Sequence, residues 1–525
     1  MRWRAMMMKK VRAGLLLCAA PFVTLSAGYS VKAQDRVPKS ISTPRPEIAI
    51  AIDPATVTDQ AVKSLYEKSG RRALWSTDAV TALNDALSDR ERHGLDRVTF
   101  LTPPTTGVSP AERDVAYTKA ALAYAGALRR GRVDPATLYP VYTLDRPADD
   151  TAAALTKALQ GAKLSAWLDS LAPQDAEYAQ LSQAYLRISE KASTVTPSAA
   201  IPAGLLKMGS RDARVPAIRE QLRQNGYLDE AASTDAGAQA GGLPVYTQAM
   251  SDAVKMLQTD YGIAADGVIG PDTLKILNLG DGDRARALAV GLERRRWLAR
   301  TPPATRIDVN TAAAELRYYR DGTLVDRRKV IVGEPGRETP PLSSPIYRLV
   351  ANPTWTVPKS IQNGEMANVS DSYLQEHDMV MRDGWIVQQS GPSNALGLVK
   401  FDMANTQAIY LHDTSAPALF DRSQRHLSHG CVRVEDALGF AQMLAEDQGV
   451  SAQWQEAQIS GEMTFVPLPR RIPVRLLYHN AFVDDGGVVA YRADPYGWND
   501  PIAEQLGFVR ADARRADAPS IDIGP

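Results

Sequence analysis

At Arg306 the apolar spacing of this chain changes period, and that change limits what it can fold into. From about residue 50 to 195 apolar residues recur three and four apart, as in Val62, Leu65 and Tyr66 or Ala79, Leu83, Ala86 and Leu87. That is the spacing of amphipathic helices with one buried stripe. From Arg306 onward Arg306-Ile307-Asp308-Val309-Asn310 alternates, and Asp321-Gly322 reads as a hairpin turn into 325–332. Further strands are expected at 316–319, 346–350, 355–357, 385–388, 399–403, 409–411, 473–477 and 488–491, and a helix over 434–444. A polar, partly helical insertion at about 362–382 interrupts them, with Asn363-Gly364 and Gly391-Pro392 at its edges, as the flanks of a lid over about 362–396. The expected fold is multidomain: an α-helical scaffold at 49–202, a small three-helix module at 203–280, and a mainly β domain at 305–490 with a helical lid insertion. A tail follows at 491–525. With 525 residues, 44% of them hydrophobic, the chain can fill that many cores.

The first 33 residues read as a signal peptide. Arg2, Arg4, Lys9, Lys10 and Arg12 form a basic start, and the apolar run from Ala13 to Ala27 is broken by Pro21 and too short to span a bilayer comfortably. Val31-Lys32-Ala33 offers small residues for a cut before Gln34. A proline-punctuated linker at 34–48 follows. The chain is therefore expected to be exported. Its 60 Lys and Arg balance 60 Asp and Glu; removal of the leader's six basic residues leaves a net charge of −6. Such a chain has no general pull on nucleic acid.

The leader also takes Cys18 with it, so the remaining chain has Cys431 alone and no internal disulfide. Cys431 stands in Ser428-His429-Gly430-Cys431-Val432-Arg433, with His412 19 positions upstream. A lone thiol and a histidine suit a thiolate nucleophile with an imidazole base, hence acyl transfer. A neighbouring imidazolium and the N-terminus of the helix expected at 434–444 would both lower the thiol pKa. Gly430 permits a tight turn with N–H groups aimed at an oxyanion. Arg433 has the fork of donors that suits a carboxylate.

Two resemblances follow from longer stretches. In 203–280, Leu222-x-x-x-Gly226-Tyr227, then Ala253-Val254-x-x-Leu257-Gln258, then Asp266-Gly267-Val268-Ile269-Gly270-Pro271-x-Thr273 resembles the three-helix type of peptidoglycan-binding module. His412, a 15-residue gap and Ser428-His429-Gly430-Cys431 resemble the signature of L,D-transpeptidases with a YkuD-type catalytic domain. Ile409-Tyr410-Leu411-His412-Asp413-Thr414, Leu419-Phe420, Arg425, Asn352-Pro353-x-Trp355 and Glu293-Arg294-x-Arg296-Trp297-Leu298 extend the likeness, and the domain order is similar to that of the large periplasmic members.

The resemblance implies Cys431 as nucleophile and His412 as general base and acid, oriented by a nearby backbone carbonyl or polar group such as Asp413. Gly430 and Cys431 N–H groups would form the oxyanion hole, with His429 in support. Tyr410, Ser428, Arg433 and Trp355 would line the donor site. It implies a donor tetrapeptide stem of peptidoglycan, a diamino-acid acceptor giving a 3→3 cross-link, release of D-Ala and inhibition by carbapenems. Cell-wall synthesis partners would meet the scaffold. No metal and no cofactor are expected.

Other readings stand beside these. The acyl-enzyme could pass to water, as in an L,D-carboxypeptidase or endopeptidase, or to a lipoprotein, or the domain could be an inactive wall-binding protein. Cys431 could be inert filler. His412, His426, His429 and Cys431 could hold zinc, although no acidic general base accompanies them. His429 reads better as a residue that positions the turn than as a proton carrier, and Trp355 better as core or cleft wall than as a substrate contact. His377 and His479 read as surface or packing residues, and His93 as a helix end before Gly94.

Overall fold

The computed structural model describes residues 50–102, 107–194, 200–229 and 242–509. The expected leader and linker lie outside the described residues, as do residues 230–241 and the chain from 510. Among the described residues no helix is long and apolar enough to cross a membrane.

The scaffold forms because the apolar stripes of helices Gln60–Lys68, Thr77–Ser88, Pro110–Arg130, Thr151–Gln160, Leu164–Leu171 and Ala176–Thr194 are turned inward. All but the first of these six share one core, to which Leu65 of the first also belongs. The longest opens on a capping box between Ser109 and Glu112, with Pro110 in its first turn. These helices do not close the core alone. Helix Asp281–Trp297 adds Leu288, Leu292 and Trp297, Ala481 comes from the end of the β domain, and Ile502, Leu506 and Phe508 arrive from beyond it. The expected tail is thus built into the fold through residue 509, because its apolar residues cover what the scaffold leaves open.

Helix Asp281–Trp297 also carries a fully buried ion pair, Glu293 with Arg296 at 2.6 Å. Glu293 accepts from the Val133 N–H at 2.7 Å and the Trp297 indole at 3.0 Å, while Arg296 donates to the His93 carbonyl at 2.7 Å and the Tyr178 hydroxyl at 2.9 Å. Removing either charge would strand the other and cost about 3–5 kcal/mol. His93 does precede a left-handed Gly94, and a Cβ at Gly94 would sit 2.9 Å from the Ala289 Cα. Glycine is what allows that turn to abut the helix.

The module contains helices Val215–Gln224, Gln248–Tyr261 and Pro271–Leu277 around their own core. Buried Gln258 organises the glycine turn: its amide donates to Asp266, the Val268 carbonyl and Thr273, and its oxygen accepts from the Gly267 N–H at 2.8 Å. The module touches the β domain where the Ser423 hydroxyl donates to the Ile263 carbonyl at 2.6 Å and accepts from the Ala265 N–H at 3.0 Å.

The β domain comprises β1 (Arg306–Asn310), β2 (Glu315–Arg320), β3 (Thr323–Gly333), β4 (Ser343–Ala351), β5 (Trp355–Thr356), β6 (Met379–Arg382), β7 (Trp385–Gln388), β8 (Val399–Met403), β9 (Leu411–His412), β10 (His426–Ser428), β11 (Val432–Val434), β12 (Thr464–Leu477), β13 (Ala481–Val483) and β14 (Val489–Tyr491). Nine strands form one sheet in the order β10-β3-β11-β9-β8-β4-β12-β1-β2, and β2 pairs back onto β3. The sheet therefore closes like a barrel, without a long free edge. The insertion is less helical than expected: β6 joins β5 and β7 in a small separate sheet, beside helices Lys359–Asn363 and Asp371–Glu376. Cys431 does not open a helix. It ends the turn from β10 to β11, since Val432 and Val434 are β-branched and find partners in β9 and β3, and the helix starts only at Ala437.

Candidate active site

The register of three strands assembles the site. β9 runs parallel to β11 with Leu411 opposite Val432 and His412 opposite Arg433. β8 runs antiparallel on the other side, placing Phe401 opposite Leu411 and Lys400 opposite His412. Leu411, Val432 and Phe401 are fully buried in the barrel core. Side chains alternate along a strand, so Tyr410, His412, Lys400, Cys431 and Arg433 share the opposite face. Tyr410 joins them: its ring lies edge-on to His412 with centroids 5.5 Å apart, and the Lys400 ammonium lies 4.3 Å from its centroid, while the Cys431 thiol donates to the Ala408 carbonyl at 3.7 Å.

The turn before the thiol is held from within. The buried Ser428 hydroxyl donates to the Cys431 carbonyl at 2.5 Å and accepts from the Gly430 N–H at 3.2 Å. The Gly430 N–H is therefore taken up by the turn, contrary to its expected freedom for an oxyanion. Gly430 has φ of +111°, a conformation that strains any residue with a side chain. Its carbonyl accepts from the Thr339 hydroxyl at 2.8 Å. His429 turns to Glu365, with Nε2 3.0 and 3.1 Å from the two carboxylate oxygens. The expected support from Asp413 takes another form, because its carboxylate accepts from the Leu398 N–H at 2.9 Å.

The stretch between His412 and the turn is stapled by Leu419 and Phe420 against Ile331, and by Arg425 donating to the Val330 and Ala314 carbonyls at 3.2 and 3.1 Å. His426 is bonded at 2.9 Å to the Thr311 carbonyl. Among the described residues no three His, Cys, Asp or Glu side chains are placed to hold a metal ion.

His412 is fully buried, and neither ring nitrogen has a hydrogen-bond partner among the described residues. Burial, helped by Arg433 and Lys400, lowers its pKa from 6.5 to about 3, the backbone of Asp413 acting in the opposite sense. The imidazole is neutral. Burial also pushes the Cys431 thiol above its ordinary value, against the pull of Tyr410, Lys400 and Arg433. Burial thus disfavours both charges of the thiolate–imidazolium pair expected from the sequence.

His93 and His426 are lowered as well, to about 3 and about 4, again chiefly by burial. An unfolded chain takes up protons near pH 6.5 that these folded histidines refuse. Stability is therefore present above pH 6.5 and lost as the pH falls toward 4, by up to about 2 kcal/mol per histidine at pH 5. Thermal unfolding followed at pH 7, 6 and 5 should show a falling midpoint; a flat one would contradict the buried neutral state.

Trp355 is 4% exposed and belongs to the lid core with Val357, Ile361, Met366, Ile386 and Leu396, against which Tyr410 packs. It is a wall of the lid. His377 is exposed and stacks on Tyr373, and His479 is buried in packing. Sequence reasoning missed Lys400 and Glu365. Alternation along 399–403 puts Lys400 on the polar face, but only strand pairing puts it beside His412. Glu365 left no local signal.

Residues 304–452 match the family model for the L,D-transpeptidase catalytic domain, 60–184 match "Scaffold domain", and 211–277 match "Putative peptidoglycan binding domain". The chain is 33% identical over 224 residues to a Haemophilus influenzae protein named "Putative L,D-transpeptidase", covering 37% of this chain and 45% of that one. It thus spans less than half the length of that curated relative. Similar solved structures include an L,D-transpeptidase from Stackebrandtia nassauensis, 15% identical, with 54% of this chain and 97% of that chain covered and a TM-score of 0.21. Another, from Mycobacterium smegmatis, is 11% identical, with 33% and 58% covered and a TM-score of 0.19.

Proposed function

We propose that this chain, which carries an L,D-transpeptidase catalytic domain together with a scaffold domain and a peptidoglycan-binding domain, is an exported enzyme that cross-links peptidoglycan stems through a thioester on Cys431. The observation that carries this reading is His412, neutral and without a partner among the described residues, on the face that also bears Cys431. Such an imidazole is free to take the thiol proton as the sulfur attacks. The sulfur would bond to the carbonyl carbon preceding the terminal D-Ala of a tetrapeptide donor. His412 would then return the proton to the departing D-Ala amine. A side-chain amine of a diamino acid on a second stem would attack the thioester, lose its proton to His412 and leave a 3→3 cross-link with the thiol restored.

Charge supports the same reading. Lys400 and Arg433 are the two cations that help keep the imidazole neutral. A stem carboxylate settling beside them would offset that charge and make His412 a stronger base once substrate is bound. With the Gly430 N–H bonded to Ser428, the Cys431 N–H is the backbone donor left for the oxyanion. The test is to treat purified sacculi with the protein, digest them and identify the muropeptides by mass spectrometry. New 3→3 dimers with released D-Ala are expected; trimmed stems alone would point to water as acceptor, and unchanged muropeptides would refute the reading.

The module at 203–280 would hold the polymer without altering it. Expressed alone, it should co-sediment with sacculi, since its helices enclose their own core. If it remains in the supernatant while the full chain pellets, binding lies elsewhere.

A further inference from the structure

The lid reaches the nucleophile turn through one carboxylate. Glu365 follows Gly364 just after helix Lys359–Asn363 and precedes Met366, which is buried in the lid core. Its carboxylate lies 3.0 Å from Nε2 of His429, two residues before Cys431, and also pairs with the Arg337 guanidinium. Arg337 sits on the β3–β4 connection, whose Thr339 hydroxyl donates to the Gly430 carbonyl. One acidic side chain therefore joins the lid to both segments that frame the thiol. A second contact runs through Tyr410, which packs on the lid core and lies edge-on to His412. The Tyr410 contact is apolar packing that tolerates sliding, whereas the Glu365 contact is directional and charge-assisted.

We infer that Glu365 is a positioning residue: it fixes the lid over the donor site by bridging His429 and Arg337, and so sets how tightly a donor stem is held. The inference rests on the reading that Cys431 accepts a stem peptide from the cleft beneath the lid. Glu365 itself takes no proton and touches no reacting atom. Its bridge accounts for His429 as a residue of the turn, since Nε2 faces the lid carboxylate.

The test uses the full chain. In Glu365→Ala, hydrogen exchange of backbone amides across 359–382 should quicken roughly tenfold, and KM for a tetrapeptide donor should rise by a similar factor with kcat changed less than about threefold. Glu365→Gln keeps an acceptor for His429 but loses the charge facing Arg337, so it should fall between wild type and Glu365→Ala. Arg337→Ala should resemble Glu365→Gln, and these two variants carry the comparison if Glu365→Ala does not fold. Unchanged exchange across 359–382 in Glu365→Ala overturns the inference. So does a loss of kcat with KM untouched, which would place Glu365 in the chemistry. Exchange is read without turnover, so a failure of the proposed reaction remains distinct from a failure of the bridge.

Discussion

Cys431→Ala should yield a folded protein that forms no acyl-enzyme, no cross-link and no free D-Ala. The thiol is half-buried and belongs to none of the hydrophobic clusters, so removing one sulfur atom leaves the barrel packing in place. Cys431→Ser is nearly as inactive, because a serine hydroxyl is far harder to ionise beside one histidine. Intact-protein mass spectrometry with a carbapenem should add one mass to the wild type, at Cys431, and none to Cys431→Ala. Turnover near the wild-type rate in a folded alanine variant would end the cysteine mechanism.

Replacing His412 by glutamine should remove on the order of 100-fold or more of the rate. Were His412 only packing at a strand end, the change would cost stability and leave turnover. Because the imidazole pKa is lowered to about 3, the base form is present throughout the neutral range. The pH profile of kcat/KM, which reports the free enzyme, should therefore lack an acid limb near 6.5 and fall only as the pH approaches 3 to 4. Alkylation of Cys431 by iodoacetamide gives the complementary measurement. A neutral His412 does not depress the thiol, so wild type and His412→Gln should show closely similar alkylation profiles while their turnover differs widely. An upward shift of the thiol pKa in the variant would instead reveal a resting ion pair.

Much of this was legible in the sequence, for physical reasons that differ by region. The strand at 399–403 shows because Val399, Phe401 and Met403 alternate with Lys400 and Asp402 against one core. The first half of β12 was hidden by Pro467 and by exposed Arg470 and Arg471, which break the alternation where β12 shifts register against β4. Cys431 and His412 stand out in the sequence because few residue types suit such chemistry, and strand register sets them on one face. The state of the pair was not found, since pKa depends on burial that β8, β9 and β11 create only when they align. The parallel register of β9 and β11, the source of the shared face, has no short-range marker. Glu365 was missed for the same reason: its partner His429 is distant in sequence, and the bridge exists only through the lid's fold.

The core around helix Asp281–Trp297 stays open until Ile502, Leu506 and Phe508 are in place. A chain made N-terminus first must therefore carry its scaffold as a half-covered surface while the module and the whole barrel are being completed. An interrupted product, whatever the state of its nucleophile, would keep that apolar face in water, where proteases act on what is not closed. Helix Asp500–Gln505 and the residues just after it thus tie the two ends of the fold together: the scaffold becomes durable only in molecules that already possess the catalytic domain made before that helix.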